Sequence, residues 1–259
     1  MLANKYILLL FFFVGSNSVI FGVIPQYYCT ASDAKYFESV KVLIGSIHRS
    51  NFDSLQQIAV FNLGLTKSQI GELKRMAKVS VYEVEKTNPY IIEPIKKYFY
   101  KKGRAVPGAY SWKPVVIKQS LDMFPYVLWL DAGCVVLRDI DCLFQYIKKR
   151  GYFFLSNGRY LIKQHITHYV CQNFNLDNDS RRWILEKGEL WASMMGISRS
   201  DTIAYKKFLL PCYDATKDIK NFMNDGTSLD EFSGFEQAIM SIYAHLNGMD
   251  LFKRSEEEP

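Results

Sequence analysis

The 259-residue sequence predicts an α/β fold, a single domain with a mostly parallel central sheet flanked by helices, on three observations. Strand-like and helix-like segments alternate along the first half of the chain, the pattern that builds parallel sheets through crossover helices. One segment, Tyr126-Val127-Leu128-Trp129-Leu130, is apolar at every position, as a parallel strand covered on both faces is. Hydrophobic residues make up 49% and charged residues 22%, enough apolar surface for a core and too little charge for disorder. No composition break marks a second domain, and no repeat on the order of 20–50 residues suggests a solenoid or propeller.

The elements follow in order. Gln26 to Thr30 reads as a strand, Ala34 to Arg49 as a helix, Gln57 to Asn62 as a strand, Lys67 to Ala77 as a helix and Val79 to Val84 as a strand. Asn62-Leu63-Gly64 is a turn signal, and Thr66 with Gln69 three residues on is a capping box that starts the second helix. Asn88-Pro89 and Lys101-Lys102-Gly103-Arg104 belong to a long connection, the sort of segment that often binds ligands. A helix from Trp112 to Met123 leads into the apolar strand, which stops at Asp131. Beyond it come an apolar Cys134 to Leu137, a helix Asp141 to Lys149, a short strand Tyr152 to Leu155 and a polar stretch Ser156 to Arg182. A strand Leu190 to Ile197 and helices Asp201 to Leu210 and Gly234 to Leu246 close the chain.

The N-terminus reads as an address. Lys5 precedes an apolar run from Tyr6 to Val14, and Gly15-Ser16-Asn17-Ser18 supplies small residues suited to cleavage after Ser18. The longer stretch Tyr6 to Ile24, ended by Pro25, nearly reaches the ~20 residues that cross a bilayer. Residues 1–24 therefore read equally as a signal peptide or as a type II signal anchor. Either places residues 25–250 in the secretory pathway, lumenal on a Golgi or ER membrane or secreted, with residues 251–259 as a charged tail. Cys29, Cys134, Cys142, Cys171 and Cys212 suit an oxidising compartment, where an odd number leaves at least one thiol unpaired. Asn178-Asp179-Ser180 is a glycan-acceptor sequon, in agreement with export.

Several function classes lose their support. No G-x-G-x-x-G follows a strand, and neither G-x-x-x-x-G-K-[ST] nor G-x-S-x-G occurs, which argues against dinucleotide oxidoreductases, P-loop kinases and serine hydrolases. His165, His168 and Cys171 share a spacing that suits metal, but without a fourth ligand an ordinary polar loop explains them better. The formal net charge of +6 suits a phosphate-bearing partner and equally a solvated surface. Aromatic and basic residues are not interleaved as in a stacking platform for nucleic acid.

Asp131 is the residue that carries chemistry. A carboxylate at the carboxyl end of a central parallel strand faces the crevice in which open α/β sheets bind ligands. The segment Val127 to Ile140, VLWLDAGCVVLRDI, resembles the strand and loop around the D-x-D motif of nucleotide-sugar glycosyltransferases of the GT-A fold, with Gly133 at the third position. Phe61-Asn62-Leu63-Gly64-Leu65 and Tyr110-Ser111-Trp112-Lys113-Pro114-Val115-Val116-Ile117-Lys118 look like the "DLGL" and "W/Y-K-P-x-x-I" stretches of a glycosyltransferase-like family of nematodes and other eukaryotes. Thr167-His168, Ala192 to Gly196 and Phe235-Glu236-Gln237 follow in the order of its "T-H", "G-x-x-G" and "D-Q" blocks, so the resemblance spans Gln26 to Leu246.

The resemblance implies a GT-A-like, Rossmann-like domain that moves a sugar, in the manner of a hexosyltransferase, from a nucleotide-diphosphate sugar to a hydroxyl of a glycan, protein or lipid. It assigns donor-binding roles to Thr30, Lys113, Lys118, Asp131, Gly133 and His168: Thr30 toward the nucleoside, the lysines toward phosphate, His168 toward a phosphate or sugar hydroxyl. Glu236 becomes the acid-base or acceptor-orienting carboxylate, with Gln237 bonding a sugar hydroxyl. A divalent cation, Mn²⁺ or Mg²⁺, would sit on Asp131 with His245 completing its shell, and Gly133 in place of a second carboxylate weakens that site. Plainer roles stay open: helical lysines are usually solvated, Thr30 also fits as the start of a turn, and Glu236 and Gln237 also fit as the opening of a helix. Gly133 and Glu236, both departures from the family pattern, keep open a chain that binds a nucleotide sugar or glycan without turning it over.

Overall fold

The computed structural model describes residues 24–99, 102–223 and 236–253; residues 1–23 of the expected signal or anchor segment, Gly234 and Phe235 of the last expected helix, and residues 254–259 of the expected tail lie outside them. The strands are β1 (Gln26–Ser32), β2 (Leu55–Asn62), β3 (Val79–Glu83), β4 (Pro94–Phe99), β5 (Lys102–Pro107), β6 (Tyr126–Leu130), β7 (Tyr152–Leu161) and β8 (Gly188–Ser198). Six of them form one sheet in the order β3-β2-β1-β6-β8-β7, and β4 with β5 forms a separate antiparallel hairpin. β1 pairs in parallel with both β2 and β6, and β2 with β3, whereas β8 runs antiparallel to both its neighbours. The chain steps outward from β1 to β3 and then returns to place β6 on the other side of β1. The carboxyl ends of β1 and β6 therefore flank the point where the strand order reverses, the place where such sheets bind ligands.

The helices are α1 (Phe37–Asn51), α2 (Lys67–Lys74), α3 (Trp112–Met123), α4 (Asp141–Arg150), α5 (Ile162–His165), α6 (His168–Asn173), α7 (Leu210–Ala215) and α8 (Glu236–Leu246). Alternation along the strands splits the core into two layers. Cys29, Val127 and Trp129 face α3, α7 and α8 with Val116, Cys212 and Met240. Tyr28, Leu128 and Leu130 face α1 and α4 with Leu43, Ile47 and Phe144. Among the described residues no helix is long and apolar enough to cross a membrane.

Local chemistry explains most boundaries. Asn62 Oδ1 accepts from the backbone N–H groups of Gly64 and Leu65 at 2.9 and 2.7 Å, closing the turn after β2. The capping box forms as expected: Thr66 Oγ1 accepts from Gln69 N and Gln69 Oε1 from Thr66 N. The spans predicted for α3 and β6 coincide with the observed ones. Elsewhere the structure departs from the sequence expectation. The connection read as a loop contains the β4–β5 hairpin, β7 runs six residues past Leu155 to Leu161, and the polar stretch after it holds α5 and α6. The helix expected from Asp201 begins as a π-helical stretch, Ile203–Leu209, and continues without a break as α7; Pro211, just past the junction, brings no N–H to the helical ladder.

Gly108, Ala109 and Tyr110, between the hairpin and α3, all have positive φ, at 50°, 49° and 66°. A Cβ on Gly108 would lie 1.8 Å from the carbonyl oxygen of Ile91, so only glycine fits. This turn sets the direction in which α3 enters the sheet's α3–α8 face.

Candidate active site

Asp131 follows β6 directly and is held in place by backbone and side chain. Its N–H donates to Ser193 O at 2.9 Å, and its Oδ1 accepts from Trp129 Nε1 at 3.2 Å. Lys113, in the first turn of α3, reaches under it. Lys113 Nζ lies 3.0 Å from Asp131 Oδ1, 2.7 Å from Glu236 Oε1 and 3.1 Å from Ala192 O. The fold thus joins three residues far apart in sequence around one ammonium. The Lys113 side chain is 4% exposed and that of Glu236 7%, while Asp131 keeps 35% and opens toward solvent. Burial pulls the Lys113 pKa down, but the Asp131 and Glu236 carboxylates outweigh it and hold the ammonium above its ordinary value.

An ammonium has three N–H donors, and three acceptors take them. Lys113 is spent on the carboxylates and does not face a phosphate. Two carboxyl groups around one ammonium also leave the cluster rich in acceptors. Glu236 Oε2 is buried with no hydrogen-bond partner among the described residues. Such a site suits hydroxyl donors.

Gln237, the next residue of α8, is fixed at both ends of its amide. Nε2 donates to Glu189 Oε2 at 2.6 Å, and Oε1 accepts from Ala192 N at 3.3 Å. Ala192 is the junction of the site, since its carbonyl serves Lys113 and Trp129 while its N–H serves Gln237. Glu189 is fully buried and also lies 2.9 Å from His165 Nδ1. Sequence reasoning passed over Glu189, which has no motif around it, and set His165 aside as part of a polar loop.

The remaining candidates lie elsewhere. Thr30 is buried near the end of β1, but strand alternation with Tyr28 turns it toward the α1–α4 layer, opposite Asp131; its Oγ1 has no partner among the described residues. Lys118 pairs with Asp122 at 2.8 Å on the surface of α3 and lies 5.3 Å from the Tyr213 ring centroid. His168 is exposed at the start of α6, 2.9 Å from Gln172 Nε2. His245 Nε2 is 2.8 Å from Gly188 O and so points its proton at β8; burial lowers its pKa, opposed by that bond and aided by nearby Lys187. Gly133 sits in the turn after β6 with nothing within 4 Å of where a Cβ would stand.

The donor set does not fit a divalent cation. Asp131 Oδ1 is taken by Lys113 and Trp129, Gly133 brings no ligand, and the Nε2 of His245 is occupied by a carbonyl. Among the described residues no three or more of His, Cys, Asp and Glu stand close enough together to hold a metal ion.

No protein-family model and no curated protein matches the chain. Solved structures do. Core-mannan synthase A of Aspergillus fumigatus, in its Mn/GDP form, aligns over 88% of this chain and 71% of its own with TM-score 0.50 and 13% identity. Mouse xyloside xylosyltransferase 1 aligns over 89% and 85%, also with TM-score 0.50 and 13% identity. The bifunctional glycosyltransferase WbbM aligns at TM-score 0.44 and 13% identity over 85% of this chain, which spans 40% of that protein's length. The fold is that of the GT-A glycosyltransferases, a single α/β domain with a mostly parallel six-stranded sheet.

Proposed function

We propose that the chain is a glycosyltransferase that moves a sugar from a nucleotide-diphosphate sugar to a hydroxyl of a glycan, protein or lipid. One observation carries this reading: Lys113 draws Asp131 and Glu236 together, beside Gln237, at the carboxyl end of β6 on a GT-A fold. Acceptor-rich carboxylates that are held apart from solvent bind hydroxyls, and sugars present hydroxyls on every side. In the transfer, the bond from the anomeric carbon to the phosphate oxygen breaks, the diphosphate leaves with the electron pair, and the acceptor oxygen bonds to that carbon. The acceptor proton must go to a base. Glu236 Oε2, with no partner among the described residues, is suited to take it or to orient the hydroxyl. Asp131 and the remaining N–H of Gln237 bind sugar hydroxyls.

Core-mannan synthase A, of the same fold, was solved in a Mn/GDP form, which supports a nucleotide-diphosphate sugar as the donor here. The described residues do not by themselves assemble a cation site. The N-terminal apolar segment supports a place in the secretory pathway, as an anchored lumenal enzyme or a secreted one. Gly133 and the saturated Lys113 favour a second reading, a protein that binds a nucleotide sugar or glycan without turnover. A panel of nucleotide sugars separates the two, assayed for released nucleotide with and without manganese. Release from one donor supports transfer; tight sugar binding with no release under any condition supports the binding protein.

A further inference from the structure

We infer that Glu189 is a positioning residue that fixes which face Gln237 presents to the sugar, an inference that rests on the transfer reading above. Glu189 lies at the start of β8 with no exposed surface, and its Oε2 both accepts from Gln237 Nε2 at 2.6 Å and lies 2.9 Å from His165 Nδ1. A carboxylate only accepts hydrogen bonds, so the glutamine amide must turn its nitrogen toward it. The Ala192 N–H at the other end, 3.3 Å from Oε1, demands the same orientation. With both ends decided, one N–H and one oxygen lone pair of Gln237 point away from β8 in a fixed arrangement. His165 holds the carboxylate from the far side, and the Tyr160 ring lies 4.6 Å from the imidazole, centroid to centroid. The helix beneath is anchored to the same strand: Ser241 Oγ accepts from Leu190 N at 2.9 Å and donates to Gln237 O at 2.6 Å. Glu189 Oε1 is buried with no partner among the described residues, an arrangement whose cost argues against a role in packing alone.

The test compares Glu189→Leu with Glu189→Gln, which keeps an acceptor of the same size. The first readout is the side-chain amide ¹⁵N–¹H resonance of Gln237, assigned by its loss in Gln237→Ala. It is expected to move far in Glu189→Leu and by a smaller step, still within the range of a hydrogen-bonded amide, in Glu189→Gln. Should Glu189→Leu fail to fold, the comparison of wild type with Glu189→Gln decides, since exchanging a charged acceptor for a neutral one shifts the resonance only if the contact exists. The second readout is steady-state turnover of the donor identified by the nucleotide-sugar panel. Glu189→Leu is expected to lower kcat on the order of 100-fold with little change in donor KM, and Glu189→Gln to recover most of it. An unmoved Gln237 resonance, or equal losses of kcat in both variants, overturns the inference. A wild-type protein that releases no nucleotide defeats the transfer reading instead, and the amide resonance then decides the contact by itself.

Discussion

Lys113 does for this site what no surface lysine can. An exposed ion pair contributes little, because water screens it and both side chains lose freedom. At 4% exposure and with Glu236 buried beside it, Lys113 cannot be removed without leaving a carboxylate in a dry environment. Lys113→Met should therefore cost about 3–5 kcal/mol in urea unfolding, and Glu236→Gln in the same chain should return part of it. A loss below about 1 kcal/mol would mean that the carboxylates find other partners. Gly133 allows the opposite experiment, adding a group rather than removing one. Open space surrounds the position of a Cβ there, so Gly133→Asp should fold normally and place a second carboxylate two residues after Asp131. We expect manganese to raise the melting temperature of Gly133→Asp and to leave that of the wild type unchanged. An equal rise in both would show that the native residues already bind the ion.

At the scale of elements, the direction of α3 decides whether Lys113 can reach both carboxylates, and the left-handed turn Gly108–Tyr110 sets that direction. Gly108→Ala would drive a methyl into the Ile91 carbonyl at 1.8 Å. We expect a loss of more than about 2 kcal/mol in chemical denaturation, together with weaker sugar binding if the first turn of α3 shifts. Unchanged stability would show that the turn can relax. The turn also shows where sequence reasoning stops. A glycine was visible, but nothing in Gly108-Ala109-Tyr110 announces three consecutive positive φ angles, since two of those residues ordinarily avoid them. The hairpin was hidden for a related reason. Its register sets Ile95 against Val106 but Lys97 against Arg104 and Phe99 against Lys102, so the sequence carries no sustained apolar alternation and reads as a polar connection. By contrast β6 and α3 were legible to the residue, because a strand buried on both faces has no polar position and Phe124-Pro125 ends the helix before it.

For the whole molecule, the alternation of strands and helices predicted the sheet, and the sheet predicted Asp131, because its reversal point lies where β6 ends. What surrounds Asp131 was only half readable. Lys113, Glu236 and Gln237 stood in motifs; their convergence on Ala192, and the arrival of Glu189 and His165 behind them, depend on how β8 and α8 pack, which no local pattern encodes. Lys118 and His168 had the right chemistry for a ligand but the wrong face of their helices, and both lie at the surface. Transfer depends on this cluster's acting on a sugar donor. The most direct test is nucleotide release from a panel of nucleotide sugars by the wild type and by Asp131→Asn, which keeps the size of the side chain and removes its charge. We predict release from one donor by the wild type and a loss on the order of 100-fold or more in Asp131→Asn, with the melting temperature little changed. Equal release by both proteins would contradict it.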